Sequence, residues 1–511
     1  MAKYKKYSND QGVFLPVFFD KQILPGTFEY SLNHLIENEL DIRFFDQRYK
    51  NDETGAPAYD PKILLKIVLF AYSRGITSSR KIAQCCEENI MFMALSANTR
   101  PHFTTIADFI SGIDEQVVEL FKEIILVCDE MGLIGRDMFA VDGCKLPSNA
   151  SKEWSGTKTD FRNKSEKLER AIERIITRHR ETDDTESNAE IIDKDTRYIA
   201  KLQKQIKKIR DWTRDNDDKP GSGGKAIKSN ITDNDSAKMK TSNGVIQGYN
   251  GVAMADSKHQ VIVAAEVYGK ISEKDLLKPM IDATKENLEP EVFEHSKLTA
   301  DSGFHTIKNM DMLAEEGIDA YVADTHFRKR DPRFIHSDRY KEQARKERLR
   351  KEKRTRLYST RDFYFDPDFK FCMCPAGKRL YRTGRGVDTK GYFVTRFQGP
   401  KSACGPCRLR SQCLRKPDKT QQRQVAFFHG RNAPQDAASE KMKQKIDSPL
   451  GRMIYGRRLG TVEPVFANIR HMLGLDRFTL RGKVKVNCQW LLFCAVHNLK
   501  KIHRYGVPQP T

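Results

Sequence analysis

Two short apolar stretches of this 511-residue chain end in the same way, with an aspartate followed within two residues by a glycine. Residues 138–141 lead into Asp142, and residues 297–300 lead into Asp301. A continuous apolar run bounded by turn residues is typical of a buried strand. A carboxylate at the end of such a strand is costly to desolvate unless it is paired or coordinated. The repeat therefore predicts one sheet that carries two carboxylates near one edge, although an Asp-Gly turn is the simpler explanation of Asp142.

A third acid, Glu463, lies in the stretch YGRRLGTVEPVFANIR, residues 455–470. Apolar residues recur there at helical spacing, which predicts that one face of the stretch is part of a core; they are Val462, Val465, Phe466 and Ile469. Pro464 favours a helix that begins at this point. With Arg457, Arg458 and Arg470 nearby, Glu463 is well placed to hold a metal against a phosphate. The simpler explanation is an N-terminal helix acid that interacts with the helix dipole.

The charge balance indicates a polyanionic partner. The formal net charge is +20 and the pI is near 9.3, and the commonest large polyanion that such a protein meets is nucleic acid. An anionic membrane surface is the weaker alternative. No window approaches the roughly 18 apolar residues that a membrane helix needs. Five of the 11 cysteines lie within residues 372–413, which fits a reducing compartment rather than a disulfide framework.

Residues 1–135 are predicted to form a helical N-terminal DNA-binding domain. The stretch PKILLKIVLFAYSRG begins with Pro61 and ends with Gly75, as a helix commonly does. A second helix then carries Arg80 and Lys81 and is followed by the turn ANTRPHFT and another helix. This pattern is compatible with a helix-turn-helix that contacts DNA through its basic residues. A helical domain with no role in DNA binding is the alternative.

The middle of the chain contains a helical segment and a strongly basic one. Two apolar stripes at heptad-like steps predict a helical hairpin in residues 151–235, which ends in a flexible linker. Residues 327–361 contain fifteen Lys or Arg against five Asp or Glu. Such a run is usually solvated, but aromatic residues interleave it, so we expect contact with the phosphate backbone. The basic residues Arg328, Lys329 and Arg330 are the candidates.

A cysteine cluster predicts a structural zinc site. Its four candidate ligands are Cys374, Cys404, Cys407 and Cys413, with Cys372 as a spare or alternative. The tight Cys-x-x-Cys pair is the strongest feature of this set. Four thiolates would leave no open position for catalysis, so one Zn²⁺ there would be structural. A set of reduced, partly buried thiols is the alternative. His497, on the predicted last helix, is interpreted as a packed core residue rather than a ligand.

Asp142, Asp301 and Glu463 lie about 160 residues apart in turn, so no local fold brings them together. A ribonuclease-H-like sheet could do so, because strand-borne carboxylates and a helix carboxylate converge on it and hold two divalent ions. Oxygen ligands favour Mg²⁺ or Mn²⁺ over zinc. Arg458 and Arg470 would then clamp a phosphate, a task that suits the guanidinium group.

The predicted fold class is therefore α/β, with a ribonuclease-H-like catalytic core in several segments. The predicted segments are a helical N-terminal domain (1–135), parts of the core (136–150, 236–325 and 431–511), a helical-hairpin insert with its linker (151–235), and a basic, cysteine-bearing β-rich insert (326–430).

Three blocks of the sequence carry a resemblance to a known family. VDGCKL, LTADSGFH and YGRRLGTVEPVFANIRHMLG resemble the three blocks of bacterial insertion-sequence DDE transposases, and the layout of the chain resembles the insertion sequence 1182 family. The related insertion sequence 4 superfamily carries the signature Tyr-x2-Arg-x3-Glu-x6-Lys. Tyr455, Arg458, Glu463 and Arg470 fit it, with arginine for lysine and a middle spacing that is one residue longer.

The resemblance implies a transposase that binds the terminal inverted repeats of its element, frees 3′-hydroxyls and joins them to target DNA. Asp142, Asp301 and Glu463 would hold two Mg²⁺ or Mn²⁺ ions per active site, and Tyr455 would position DNA rather than attack it. It also implies double-stranded DNA as the partner, a homodimer or higher multimer in a synaptic complex, and a bacterial cytoplasmic, nucleoid-associated protein without a membrane partner. The alternatives are a two-metal nuclease without strand transfer, a non-catalytic DNA-binding protein derived from a transposase, and a zinc-dependent regulator.

Overall fold

The computed structural model forms two compact units, residues 1–322 with 450–511 and residues 323–449. The described residues are 17–49, 57–182, 189–221, 224, 226–241, 244–334, 343–344, 347, 357–366, 368, 370–387, 392–431 and 437–506. Much of the basic run 327–361 lies outside them. Among the described residues, no helix is both long enough and apolar enough to cross a lipid bilayer.

The elements are numbered in chain order. The described helices of the first unit are α1 Phe28–His34, α2 Pro61–Ser73, α3 Ser79–Glu88, α4 Ile90–Leu95, α5 Phe103–Ser111, α6 Gln116–Glu130, α7 Lys158–Thr182, α8 Ala189–Asp215, α9 Leu277–Asn287, α10 Ile307–Glu315, α15 Pro449–Ala467 and α16 Lys483–Tyr505; the intervening numbers belong to helices of the second unit. Its strands are β1 Met138–Pro147, β2 Ser155–Gly156, β3 Lys219–Pro220, β4 Ala226–Ile227, β5 Ser229–Asn230, β6 Ala237–Thr241, β7 Gly244–Asp256, β8 Ile262–Tyr268, β9 Lys297–Ala300 and β10 Asp319–Val322.

Helices α1 to α6 precede the sheet and pack partly against the last helix. Helix α2 begins at Pro61, where Asp60 accepts a hydrogen bond from the backbone N–H of Lys62, and it buries ten of its residues. Pro at the first helical position and an aspartate cap are common signals of a helix start, so the sequence predicts this boundary well. Helix α16 packs against α6 and β8, and its Trp490 is fully buried.

The central sheet has the order β10-β9-β1-β7-β6, and β8 also pairs with β7. Strand β9 is parallel to both β1 and β10, whereas β7 is antiparallel to β1, β6 and β8. In β7, residues 247–256 are all buried, as is expected of a strand that is covered on both faces. In β1, residues 138–141 are fully buried.

The prediction that the first apolar strand ends at Asp142 is wrong. Strand β1 continues to Pro147 because its antiparallel pairing with β7 extends to the pair of Pro147 with Gly248. Only the parallel pairing with β9 stops, and its last pair is Val141 with Ala300. Asp142 therefore lies inside a strand, at the point where the strand loses one of its two neighbours.

Helices α7 and α8 form an antiparallel pair between β2 and β3. Ion pairs of Arg178 with Asp195 and of Arg210 with Glu169 connect them. At the base of the pair, Phe161, Ile209, Trp212 and Ile231 form a small apolar cluster of their own. This pair corresponds to the predicted helical hairpin.

The prediction that a helix begins at Pro464 is also wrong. Helix α15 begins at Pro449 and contains Pro464 in its interior, and a π-helical segment, Asn468–Met472, follows it. The earlier signal is Ser448 before Pro449, since serine is a frequent cap and proline a frequent first helical residue. A proline inside a helix crowds the residue four positions before it. In α15 this residue is Gly460, where even an added Cβ would meet no atom within 4 Å.

The second unit is built on a five-stranded antiparallel sheet. Its helices are α11 Phe327–Arg330, α12 Lys401–Cys404, α13 Arg410–Cys413 and α14 Ala438–Asp447, and its strands are β11 Tyr364–Phe365, β12 Cys372–Met373, β13 Arg379–Val387, β14 Tyr392–Gln398 and β15 Gln424–Arg431, paired in chain order. Its core is small and consists of Phe363, Cys372, Leu380, Phe397 and Val425.

Candidate active site

The sheet brings Asp142 and Asp301 together. The parallel pairing of β1 with β9 ends at Val141 and Ala300, so the next residue of each strand is one of the two predicted aspartates. Adjacent strands lie about 4.8 Å apart, so Asp142 within β1 and Asp301 just after the end of β9 lie side by side. The Asp301 Oδ1 accepts a hydrogen bond of 2.7 Å from the backbone N–H of Gly303. This contact fixes the orientation of the carboxylate after its strand has ended.

The two carboxylates share an electrostatic environment. Burial raises the pKa of Asp301, and the negative charge of Asp142 raises it further. The N–H of Gly303 and the positive charges of Arg458 and Lys145 oppose this rise. Two carboxylates that resist simultaneous ionisation are common at sites that hold a proton or a cation between them.

Arg458 provides the nearest positive charge. It lies on α15, it is 7% exposed, and its Nη1 donates a hydrogen bond of 2.8 Å to Asp142 Oδ2. Burial alone would lower the pKa of its guanidinium, but Asp142 raises it above its usual value. Its guanidinium carbon lies 5.7 Å from the ring centre of Tyr455. A residue that the sequence predicts as a phosphate clamp is thus bonded to the first aspartate.

A further carboxylate, that of Glu273, lies at the same edge. Its Oε1 accepts a hydrogen bond of 3.0 Å from Asn250 Nδ2. Burial raises the pKa of Glu273; the bond from Asn250 opposes the rise, and the charge of Asp301 adds to it. Sequence reasoning missed this residue because the segment SEKDLLKPMIDATKENL was interpreted as one helix. In the structure, α9 begins only at Leu277, so Glu273 lies in the preceding turn.

Glu463 and Arg470 follow Arg458 on the same helical segment. On an α-helix, Glu463 lies five residues and thus about 140° from Arg458, and its side chain is exposed. It forms no hydrogen bond or ion pair within the part of the chain that the structure describes. Arg470 is closer to the pair of aspartates, because its guanidinium lies beside the thiol of Cys144, two residues after Asp142. Burial raises the pKa of this thiol to about 11, and Arg470 opposes the rise.

The donor set is suited to a hard cation. Asp142, Asp301 and Glu273 are carboxylates, which Mg²⁺ and Mn²⁺ favour, and they lie where their charges repel. In the described ranges, however, no three His, Cys, Asp or Glu side chains are arranged as a complete metal site. The structure thus brings two of the three predicted ligands together and places Glu463 on the exposed side of its helix.

The other predicted DNA-binding residues lie on two different units. Arg80 and Lys81 are exposed in the first turn of α3, and the guanidinium of Arg80 lies 4.9 Å from the ring centre of Phe103 at the start of α5. In the second unit, Arg328, Lys329 and Arg330 form the exposed part of α11. Arg330 is ion-paired with Asp324 and Asp447.

The four predicted zinc ligands line one cavity of about 40 Å³ in the second unit. Burial raises the pKa of the Cys413 thiol. The nearby thiols of Cys404, Cys374 and Cys407 add to this rise. The backbone N–H of Lys378 donates a hydrogen bond of 3.3 Å to Cys374 Sγ. Cys372, the spare of the prediction, is instead a fully buried residue of the apolar core.

His497 is a packed core residue, as interpreted from the sequence. It is 2% exposed, and its Nε2 lies 2.9 Å from the carbonyl oxygen of Gln260.

Two stretches of the chain match models of known domain families. Residues 373–503 match the Transposase DDE domain, and residues 17–112 match the Transposase domain (DUF772). Both matches are to transposase domains. They support a DDE transposase of the insertion-sequence type, and hence a transposase or nuclease class of enzyme. No match was found among curated proteins.

The two matches contain different predicted site residues. The first contains Glu463, Arg458 and the whole cysteine tetrad, whereas the second contains Arg80 and Lys81. Asp142 and Asp301 lie between the matched stretches, so the evidence for them is the geometry of the sheet edge.

Proposed function

We propose that this protein is a DNA transposase that binds the terminal inverted repeats of an insertion sequence and cleaves and joins DNA by a DDE two-metal mechanism. The observation that carries the proposal is the placement of Asp142 and Asp301 side by side, each directly after the last parallel pair of β1 with β9. Antiparallel strands β8, β7 and β1, continued by parallel strands β9 and β10, support a ribonuclease-H-like core. The three sequence blocks further favour the insertion sequence 1182 family.

The protein's part in the reaction is to position charges. Divalent cations, when bound, would lower the pKa of the attacking water or 3′-hydroxyl and stabilise the leaving oxygen. Asp142 and Asp301 would hold them, with Glu463 as the third ligand. Arg458 orients Asp142, because its Nη1 is bonded to that carboxylate and little of its surface reaches solvent.

The DNA would be held by basic residues around the sheet edge. We assign phosphate contact there to Arg470, which is exposed and lies beside Cys144, and a positioning role to Tyr455. Arg80 and Lys81 would contact the terminal repeats through the helices α3 and α5. Arg328, Lys329 and Arg330 would contribute backbone contacts from the second unit. Since two transposon ends must be joined to one target, we expect at least a dimer in the synaptic complex.

The proposal is tested by incubating the full-length protein with labelled DNA that carries the ends of its own element, in Mg²⁺ or Mn²⁺. We expect wild type to cleave and join these ends, and Asp142→Asn, Asp301→Asn and Glu463→Gln each to lose at least ~10²-fold in rate while they retain DNA binding. Arg457→Gln, on the exposed side of α15, is the matched control and should retain cleavage. Cleavage without joined products would indicate a nuclease, and specific binding without metal-dependent chemistry would indicate a non-catalytic DNA-binding protein.

We also propose that the cysteine tetrad binds one structural Zn²⁺. The support is that all four thiols line one cavity and that Cys372 lies apart from them in the core. Metal analysis of the purified full-length protein should give about one zinc per chain. Cys404→Ser should lose this zinc, whereas Cys372→Ala, the control within the same unit, should retain it. A wild-type protein without zinc, or equal zinc loss in both variants, would contradict the proposal.

A further inference from the structure

We propose that Glu273 is a further carboxylate of the active site, which binds a divalent cation together with Asp301 and is held in place by Asn250. This inference rests on the proposed function, since it adds a residue to the same site. None of the three sequence blocks that carry the family resemblance contains Glu273 or Asn250.

The glycines near the aspartates show how close Glu273 lies. A Cβ added to Gly303 would lie 2.5 Å from Glu273 Oε2 and 2.9 Å from Asp301 Oδ1. The two carboxylate oxygens therefore lie no more than about 5.4 Å apart, the sum of these distances. A Cβ added to Gly143 would likewise lie 2.8 Å from Glu273 Oε1. The absence of side chains at Gly143 and Gly303 leaves room for the carboxylate of Glu273.

Glu273 reaches the edge from the face of the sheet opposite to that of Arg458. Alternate residues of a strand point to opposite faces, so Asp142 and Cys144 share one face of β1, and Gly143 and Lys145 share the other. Arg458 bonds to Asp142, whereas Glu273 lies against Gly143. Carboxylates thus approach the end of β9 from both faces, an arrangement that can surround a cation rather than only face it.

Asn250 supplies a second observation that points to a ligand. It is fully buried on β7, and its Nδ2 donates to Glu273. Its Oδ1 is buried and has no hydrogen-bond donor among the described residues. This oxygen lies next to Gly143, since a Cβ added there would be only 2.8 Å from it. A buried acceptor without a donor is destabilising, so its presence calls for a ligand or a water. Mg²⁺ usually keeps several bound waters, and such waters are donors of the kind that this oxygen lacks.

The position of Glu273 in the chain also fits such a role. It lies in the turn between β8 and α9, four residues before the helix begins. A structural acid at this place would be expected to cap the helix or to form an ion pair. Glu273 does neither among the described residues, since the one hydrogen bond of its side chain is to Asn250 and α9 has no side-chain cap at its N-cap position, Leu276.

The test measures cation binding by the full-length protein without DNA. The melting temperature is recorded while Mn²⁺ or Mg²⁺ is titrated, for wild type, Glu273→Gln, Glu273→Asp and the control Glu316→Gln. Glu316 is a partly buried acid of similar size that pairs with Lys278 and Lys285 away from the sheet edge. We expect Glu273→Gln to weaken the apparent cation affinity at least ~10-fold, Glu273→Asp to recover part of it, and Glu316→Gln to bind as wild type does.

The baseline without cation separates a ligand from a structural residue. Removal of one of three mutually repelling carboxylates should leave the cation-free melting temperature unchanged or raise it. A lower cation-free melting temperature with wild-type cation affinity would show that Glu273 is structural and overturn the inference, and so would equal affinity in all variants. If wild type binds the cation through Glu273 but never cleaves DNA, the proposed function fails while this inference stands.

Discussion

The ion pair between Arg458 and Asp142 gives the sharpest prediction on stability. Arg458→Met keeps an unbranched apolar stem and removes the charged end of the side chain, so Asp142 would remain beside Asp301 without its bonded counter-charge. At an effective dielectric constant of ~20, unit charges about 4 Å apart interact by ~4 kcal/mol. Loss of one partner of a buried pair costs ~3–5 kcal/mol. Because the Asp142 side chain is 22% exposed, solvent screens part of this cost, and we expect a loss of ~3 kcal/mol.

The free energy of unfolding is measured by urea denaturation, followed by tryptophan fluorescence, since Trp490 is fully buried in the same unit. Arg457→Met is the matched control, because Arg457 is the preceding residue and is exposed. It should change the free energy of unfolding by less than ~0.5 kcal/mol.

The same experiment in the presence of Mg²⁺ separates two roles of Arg458. If the guanidinium and the cation compensate the same carboxylate, a bound cation stabilises the folded variant in place of the guanidinium. The loss in free energy of unfolding caused by Arg458→Met should then fall by at least half when the cation is saturating. A deficit below ~1 kcal/mol without cation would refute the reasoning that this pair balances a buried charge. An undiminished deficit with bound cation would refute the reasoning that the two charges serve the same site.

Three further predictions concern single positions. Burial lowers the pKa of His497 to about 4, below its unfolded value of ~6.5, so stability should be lost as pH falls from ~6.5 towards 4, by up to ~3 kcal/mol; urea denaturation across this range should show a smaller loss for His497→Gln. Gly456→Ala should raise the free energy of unfolding by ~1 kcal/mol in the same assay, because it lies inside α15 and an added Cβ meets no atom within 4 Å. Gly303→Ala should lower the rate of DNA cleavage because its Cβ would displace the carboxylate ends of Glu273 and Asp301, and wild-type activity in this variant would contradict the role assigned to their positions.

The sequence predicts the local parts of the site better than their assembly. The apolar strands before Asp142 and Asp301 are visible because burial on both faces leaves a continuous apolar run. The two strands pair in parallel although they are about 160 residues apart in the chain, and no local sequence pattern predicts such a pairing. The exact end of β1 depends on β7, and therefore the prediction that the strand ends at Asp142 was wrong.

The helix around Glu463 shows how a local rule can be overridden. Proline is favoured in the first turn of a helix, which made Pro464 look like a start. The stronger start is Ser448 with Pro449, and α15 continues through Pro464. Glu273 was missed because the amphipathic pattern of the segment predicted a helix that already includes it, whereas α9 begins only at Leu277. Its proximity to Asp301 arises from tertiary structure alone.

The cysteine cluster was predictable to a different degree. Its Cys-x-x-Cys pair is a local signal, whereas no local pattern distinguishes Cys374 from Cys372, which stayed a spare or alternative ligand. In the structure these neighbours lie in different environments: Cys372 pairs with Leu380 in the sheet and is fully buried, whereas Cys374 lines the cavity. Whether the thiols bind zinc stays a prediction.

The central claim is that Asp142 and Asp301 act by holding divalent cations at the point where the parallel pairing of β1 with β9 ends. The most direct test is cleavage of element-end DNA by Asp301→Cys, in Mg²⁺ and in Mn²⁺, beside wild type. A thiolate is a poor ligand for the hard Mg²⁺ ion and a better one for Mn²⁺. We therefore predict that this variant is inactive in Mg²⁺ and regains cleavage in Mn²⁺. Wild-type cleavage by the variant in Mg²⁺ would contradict the claim, because the carboxylate would then be dispensable.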